Sequence, residues 1–265
     1  MDNRPIGVFD SGLGGLTVLK ALKIALPNEN FIYVGDTARV PYGNKSRKKI
    51  KQYSDQISKW LIAQDCKMVV VACNTASAIA LESLRMKFSI PIIGVINSGV
   101  RRAIHLSQNS HIAVLATAAT IKSDEYGKQL KALNSQIIIK NIACPLLVPL
   151  VEEGLTNDHL SLSVIKMYLK SLKNSKFDTV ILGCTHYPLL KDPIQNVLGD
   201  KVKLVDSGNA IVKEVEEFLL ENNLMSKISQ GIFHCFVTDE PESFDKIAER
   251  FLQTKLVGTS HIELF

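Results

Sequence analysis

The sequence predicts an α/β protein of two similar lobes, each a mostly parallel sheet flanked by helices. Three observations lead there. Short β-branched runs alternate with amphipathic stretches along the whole chain, the pattern of parallel strands joined by helical crossovers and covered on both faces. Val69-Val70-Val71-Ala72-Cys73-Asn74-Thr75 is echoed by Val180-Ile181-Leu182-Gly183-Cys184-Thr185-His186, and Val8-Phe9-Asp10-Ser11-Gly12 by Leu204-Val205-Asp206-Ser207-Gly208. A length of 265 residues suffices for two modest cores.

The expected strands are 6–9, 31–34, 68–72, 91–95, 111–116, 136–142, 179–182, 202–205 and 232–237. The first runs into Asp10 and the glycines Gly12, Gly14 and Gly15, which permit a tight turn and close approach of backbone to a ligand. A helix following that turn would present free N–H groups to an anion. The turn lacks the Lys-Ser/Thr of a Walker loop. After the second strand, Ile50, Tyr53, Ile57, Trp60 and Leu61 recur at three- and four-residue steps, one apolar face of a helix. The basic run 45–51 at its start reads as a solvated helix terminus. The strands at 68–72 and 179–182 lead to Cys73 and Cys184, each followed by polar residues able to open a helix. No low-complexity linker separates the halves.

Composition narrows the function classes. The net charge of +5 is mild and dispersed, which gives no reason to expect a nucleic-acid partner. The strongest apolar run, 68–73, is too short to span a bilayer. The N-terminus shows no secretory pattern, so a cytoplasmic location is expected. Five cysteines in such a chain, none in a C-x-x-C pair, argue against a disulfide framework and a zinc site. His105, His111, His159, His234 and His261 show no ligand spacing.

Ligands of parallel α/β sheets bind beyond the carboxyl ends of the strands. The segments 10–15, 36–43, 73–75 and 184–186 put reactive or polar groups there. A thiol at a helix N-terminus is expected to have a lowered pKa. A single cysteine ending a strand is usually a small core residue, but two in matching contexts point to paired chemistry. Inverting a stereocentre needs a proton removed from one face and another delivered to the opposite face. Two fixed thiols do this, one starting as thiolate and the other as thiol. Cys66, Cys144 and Cys235 lack that context and read as structural.

Five strings carry a resemblance that runs almost end to end: GVFDSGLGGLTVL at 7–19, VGDTARVPYGNKS at 34–46, VVACNTASA at 70–78, CPLLVPLVEEG at 144–154 and ILGCTHYPLL at 181–190. Together they resemble the glutamate racemases of the aspartate/glutamate racemase superfamily. The resemblance implies two lobes related by a pseudo-two-fold with the active site between them, residues 1–97 plus 207–265 forming one and 98–206 the other. It implies neither pyridoxal phosphate nor a metal, L- or D-glutamate as the small-molecule partner, a homodimer among the expected assemblies, and a product destined for peptidoglycan. It also implies roles. Cys73 acts on the D-enantiomer with help from Asp10, and Cys184 on the L-enantiomer with help from Glu152 and His186. Asp10, Ser11, Tyr42, Gly43, Asn74, Thr75, Thr185 and His186 contact substrate, with Thr117 and Thr120. Where the family has glycines in a GT-x-GT turn, this chain reads Ala116-Thr117-Ala118-Ala119-Thr120. Alanine disfavours positive φ, so a displaced loop is expected.

Blander readings stand beside several of these. Asp10 could cap the helix it precedes, Glu152 with Glu153 could lie on a solvated face, Tyr42 could merely pack in its turn, and His186 could be a satisfied polar residue. Racemisation of another amino acid, such as aspartate, and non-catalytic amino-acid binding are the competing functions. Binding alone gives no reason for matched thiols.

Overall fold

A computed structural model describes the chain apart from residues 174, 257 and 265. Its strands are β1 (Ile6–Asp10), β2 (Phe31–Gly35), β3 (Met68–Val71), β4 (Ile92–Gly94), β5 (His111–Ala116), β6 (Ile138–Ala143), β7 (Thr179–Gly183), β8 (Lys203–Asp206), β9 (Phe233–Val237) and β10 (Ser260–His261). All nine expected strands form, with ends within two residues of the sequence reading. β10 was not foreseen, because two exposed residues carry no periodicity.

Two sheets result, ordered β10-β9-β2-β1-β3-β4 and β6-β5-β7-β8. Among the described residues every strand pairing is parallel. The segment β2-β1-β3-β4 and the whole second sheet share one winding rule, and this decides which echo is structural. Cys73 and Cys184 follow β3 and β7, equivalent strands in that rule. Asp10 and Asp206 end β1 and β8, which are not equivalent: one is internal, the other an edge strand. The second echo is therefore no mark of duplication. β9 and β10, late in the chain, extend the first sheet beside β2. The expected boundary at 97 falls in the first turn of helix Val95–Leu106, and that at 207 begins helix Ser207–Glu221.

The apolar patterning explains the layers. Helix Arg47–Ala63 buries Ile50, Ile57 and Leu61 against Phe9, Val69 and Val71 on one face of the first sheet. Its basic start is exposed, and Ser46 caps it by accepting from Lys49 N at 3.3 Å. Val8 and Val70 on the other face belong to a core that continues through Ile211, Val215 and Leu219 of helix Ser207–Glu221 to Leu115 and Leu182 of the second sheet. Each such fully buried aliphatic side chain contributes about 1.5–3 kcal/mol. That shared core holds the carboxyl ends of β1, β3, β5 and β7 in one region. At the far end, away from those termini, Lys67 Nζ pairs with Glu29 at 2.5 Å, both side chains buried. Nζ also donates to the Asp2 and Leu224 carbonyls, each at 2.7 Å, the extra bonds that a buried charge requires.

Candidate active site

Cys73 caps helix Asn74–Ile79, its Sγ accepting from Ala76 N at 3.5 Å and lying 3.8 Å from Ser11 Oγ. The helix end does not lower this thiol. Burial pushes it up to about 12, the Asp10 carboxylate acts in the same direction, and the Ala76 and Ser11 contacts only partly oppose them. Desolvation outweighs a single capping N–H, which corrects the expectation of a lowered pKa at this position. A charge on Cys184 also pushes the Cys73 thiol upward, so the second sulfur is within electrostatic reach of the first.

Cys184 follows β7, but no α-helix opens directly after it. Pro188 stands early in a 3₁₀ turn, Tyr187–Leu190, which replaces the expected helix mouth. The polar partner here is His186, with Nδ1 3.9 Å from Cys184 Sγ and Nε2 3.0 Å from Glu152 Oε1. Burial pulls the imidazolium down, yet Cys184 and Glu152 together outweigh it and hold His186 at about 10. Glu152 closes helix Leu147–Glu152 and, although 36% of its side chain is exposed, it is engaged rather than merely solvated.

Two supports of this dyad escaped the sequence reading. Arg250 Nη1 donates to the Glu152 carbonyl at 2.9 Å, and the Phe251 ring meets the His186 ring edge-on at 5.4 Å. Both come from helix Pro241–Leu252. No local signal marks them, because their partners lie far back along the chain.

Asp10 is fully buried. It does not cap helix Leu16–Ala25, whose N-cap is Gly15 with no side-chain bond. Instead its Oδ2 accepts from Gly12 N at 3.0 Å and its Oδ1 from Thr185 Oγ1 at 3.4 Å. Burial raises the Asp10 carboxyl, and the His186 charge opposes that. Asp10 thus joins both thiol neighbourhoods.

The approach of the lobes depends on Gly14, where an added Cβ would lie 2.2 Å from Thr185 Oγ1 and 2.5 Å from His186 Nδ1. Thr17 Oγ1 bonds the Thr185 carbonyl at 3.0 Å in the same contact. Gly43 plays a similar part, since its Cβ would meet Thr117 Cβ at 2.9 Å.

Three hydroxyls converge next to it. Thr75 Oγ1 lies 2.9 Å from Thr117 Oγ1 and 3.0 Å from Thr120 Oγ1, which are themselves 3.0 Å apart. The loop through the alanines needs no positive φ: Thr117 is extended (φ −68°) and caps helix Ala118–Ser123. Alanine suits this helical start, so the missing glycines leave no strained backbone at 116–120. The Tyr42 hydroxyl is committed to Asp36, which raises it well above the usual tyrosine range together with the larger effect of burial. Tyr42 and Gly43 open the 3₁₀ turn Tyr42–Asn44, and the first N–H groups of such a turn have no partner within it. Asn74 is buried, and its Nδ2 finds no partner among the described residues.

Cys66, Cys144 and Cys235 are free and buried, each thiol pushed up to about 12 by desolvation. Among the described residues no cluster of three His, Cys, Asp or Glu could hold a metal, and no helix is long and apolar enough to cross a membrane.

This arrangement defines a two-lobed α/β protein with cysteines, a histidine and carboxylates gathered at its strand ends, and comparison with known proteins agrees on the fold. The Asp/Glu/Hydantoin racemase family matches residues 6–215. A glutamate racemase of Geobacter metallireducens is 46% identical over 98% of this chain and 97% of its own. The crystal structure of a glutamate racemase isoform from Bacillus anthracis superposes with a TM-score of 0.96 at 36% identity, covering 100% of this chain and 99% of that one. Glutamate racemase from Francisella tularensis, solved in complex with D-glutamate, gives 0.92 at 41% identity over 99% and 98%. The chain belongs to the Asp/Glu/Hydantoin racemase family, in its glutamate racemase branch.

The Gly14 contact yields a direct test. Gly14→Ala should keep the circular dichroism of a folded protein while lowering turnover on the order of a hundredfold, because a shift of about 1 Å in catalytic groups has that effect. Unchanged turnover would show that the contact does not set the site.

Proposed function

We propose that this chain interconverts L- and D-glutamate by two-base proton transfer at Cα, with Cys73 and Cys184 as the opposed acid and base and no cofactor in the step. The observation that carries the reading is that two buried thiols stand at equivalent strand ends, close enough that a charge on Cys184 pushes the Cys73 thiol upward. We assign one lobe to residues 1–97 plus 207–265 and the other to 98–206.

The resting protonation suits L-glutamate. Cys73, held at about 12, is a thiol. His186, held at about 10 by Cys184 and Glu152, is an imidazolium placed to stabilise negative charge on Cys184 when that sulfur acts as the base. The Cys184 thiolate takes the α-proton, and the electron pair of the Cα–H bond moves onto the α-carboxylate. Asn74 and Thr185 donate to the α-carboxylate as its charge grows; a donor so placed is typically worth about a hundred- to a thousandfold. The Cys73 thiol then delivers its proton to the opposite face, forming D-glutamate and leaving Cys73 as thiolate and Cys184 as thiol. Starting from D-glutamate the same steps run backward. The cycle closes when the proton left on Cys184 passes to the Cys73 thiolate by way of the Asp10 carboxylate, which burial makes a better proton acceptor and which takes the proton up and hands it on. Scarcity of water strengthens each thiolate as a base.

Substrate placement follows from the same geometry. Asp10 and Ser11 receive the ammonium group. The N–H groups of Tyr42 and Gly43, with the hydroxyls of Thr75, Thr117 and Thr120, take the side-chain carboxylate. D-glutamate made this way would supply peptidoglycan, as the family resemblance implies.

The test is incubation with each glutamate enantiomer in deuterated water, following optical rotation and α-deuterium. Racemisation with solvent deuterium at Cα of the product is expected. Folded protein that exchanges no α-proton on either enantiomer would refute the reading. A pH profile tests the His186 role. Its folded pKa lies above the ordinary 6.5, so the imidazolium persists through neutrality and kcat/KM should fall as pH rises through about 10. Glu152→Gln removes one of the charges that holds it there and should move this alkaline limb to lower pH. A limb that stays in place would separate His186 from the reaction.

A further inference from the structure

We infer that Tyr126 and Ser207 are positioning residues that set the Asn74 amide for the substrate carboxylate, an inference that rests on the racemase reading. Asn74 adjoins Cys73 at the start of helix Asn74–Ile79 and is only 2% exposed. Its Oδ1 accepts from Tyr126 Oη at 2.6 Å and from Ser207 Oγ at 3.1 Å. Among the described residues its buried Nδ2 has no protein acceptor. Buried amide donors are almost always paired, so an orphan beside a reactive thiol marks the place of a ligand acceptor. With both hydroxyls directed at Oδ1, the amide offers its N–H bonds to the substrate, and a carboxylate oxygen is the acceptor that glutamate brings.

The two supports come from separate elements. Tyr126 stands in helix Glu125–Leu133 and is buried; its O–H is held protonated chiefly by desolvation, which keeps it a donor. Ser207 opens helix Ser207–Glu221, whose start is fixed by Asp206 Oδ1 accepting from Asn209 N at 2.8 Å. Ser207 Oγ also reaches the Leu182 carbonyl at 3.4 Å, on the strand that ends at Cys184. The side chain next to one thiol is thereby referenced to the strand of the other. The second Asp-Ser-Gly string, which marks no duplicated strand, acquires a purpose here: Asp206 sets the helix and Ser207 sets Asn74.

A double-mutant cycle tests this. Tyr126→Phe and Ser207→Ala are each made in the wild-type and in the Asn74→Ala background, and kcat/KM and D-glutamate binding by calorimetry are read. Each should weaken the wild type by about fivefold to tenfold, the effect of one hydrogen bond, and the Asn74→Ala background by less than about twofold. Equal factors in both backgrounds would overturn the inference, since the hydroxyls would then act through something else. Ser207→Ala carries the cycle alone if Tyr126→Phe does not fold. Wild-type racemisation is measured alongside: its absence overturns the function as well, whereas additivity on an active enzyme overturns only the positioning role.

Discussion

The contact of Gly14 with Thr185 and His186 is the constraint on which the rest of the site depends. No side chain fits there, so the glycine-rich turn of one lobe lies directly on the thiol-bearing segment of the other. Asp10 is thereby within reach of Thr185, the His186 charge acts on Asp10, and the Cys184 charge acts on Cys73. In a poorly hydrated space these influences are far stronger than they would be in water. A bulkier turn would push Thr185 and His186 away from Asp10 and out of register with it.

Burial is also what makes the thiols useful. A thiolate stripped of water is a better base toward a weak carbon acid, and the price is that it must be formed beside a suitable partner. The two partners differ. Cys184 has the His186–Glu152 pair braced by Arg250 and Phe251, whereas Cys73 has Ser11 and a capping N–H, with the Asp10 carboxylate opposing its ionisation. The two thiols thus stand in unlike surroundings although they end equivalent strands.

Much of this was legible in the residues. The strands announced themselves because buried parallel strands are continuous β-branched runs, and matching Cys contexts located both thiols. The string around Asp10 was informative, though the nearer inference of a helix cap was wrong: Gly15 holds that position. What escaped has a common cause. Arg250, Phe251, Tyr126 and Ser207 act on partners distant in sequence, which periodicity and spacing do not register. The Cys73 thiol was expected to be lowered by its helix, a local effect, and is raised by desolvation, which sums over residues from several elements. In the Ala116–Thr120 loop the absence of glycine causes no backbone strain, because a helical start suits alanine.

The central claim is that both sulfurs transfer protons, and glutamate turnover by Cys73→Ser and by Cys184→Ser measures it most directly. Serine keeps the shape but its hydroxyl is far less acidic, so each variant should stay folded and lose racemisation on the order of a thousandfold, the scale of a missing general acid or base. Wild-type turnover in either variant would contradict the two-thiol mechanism.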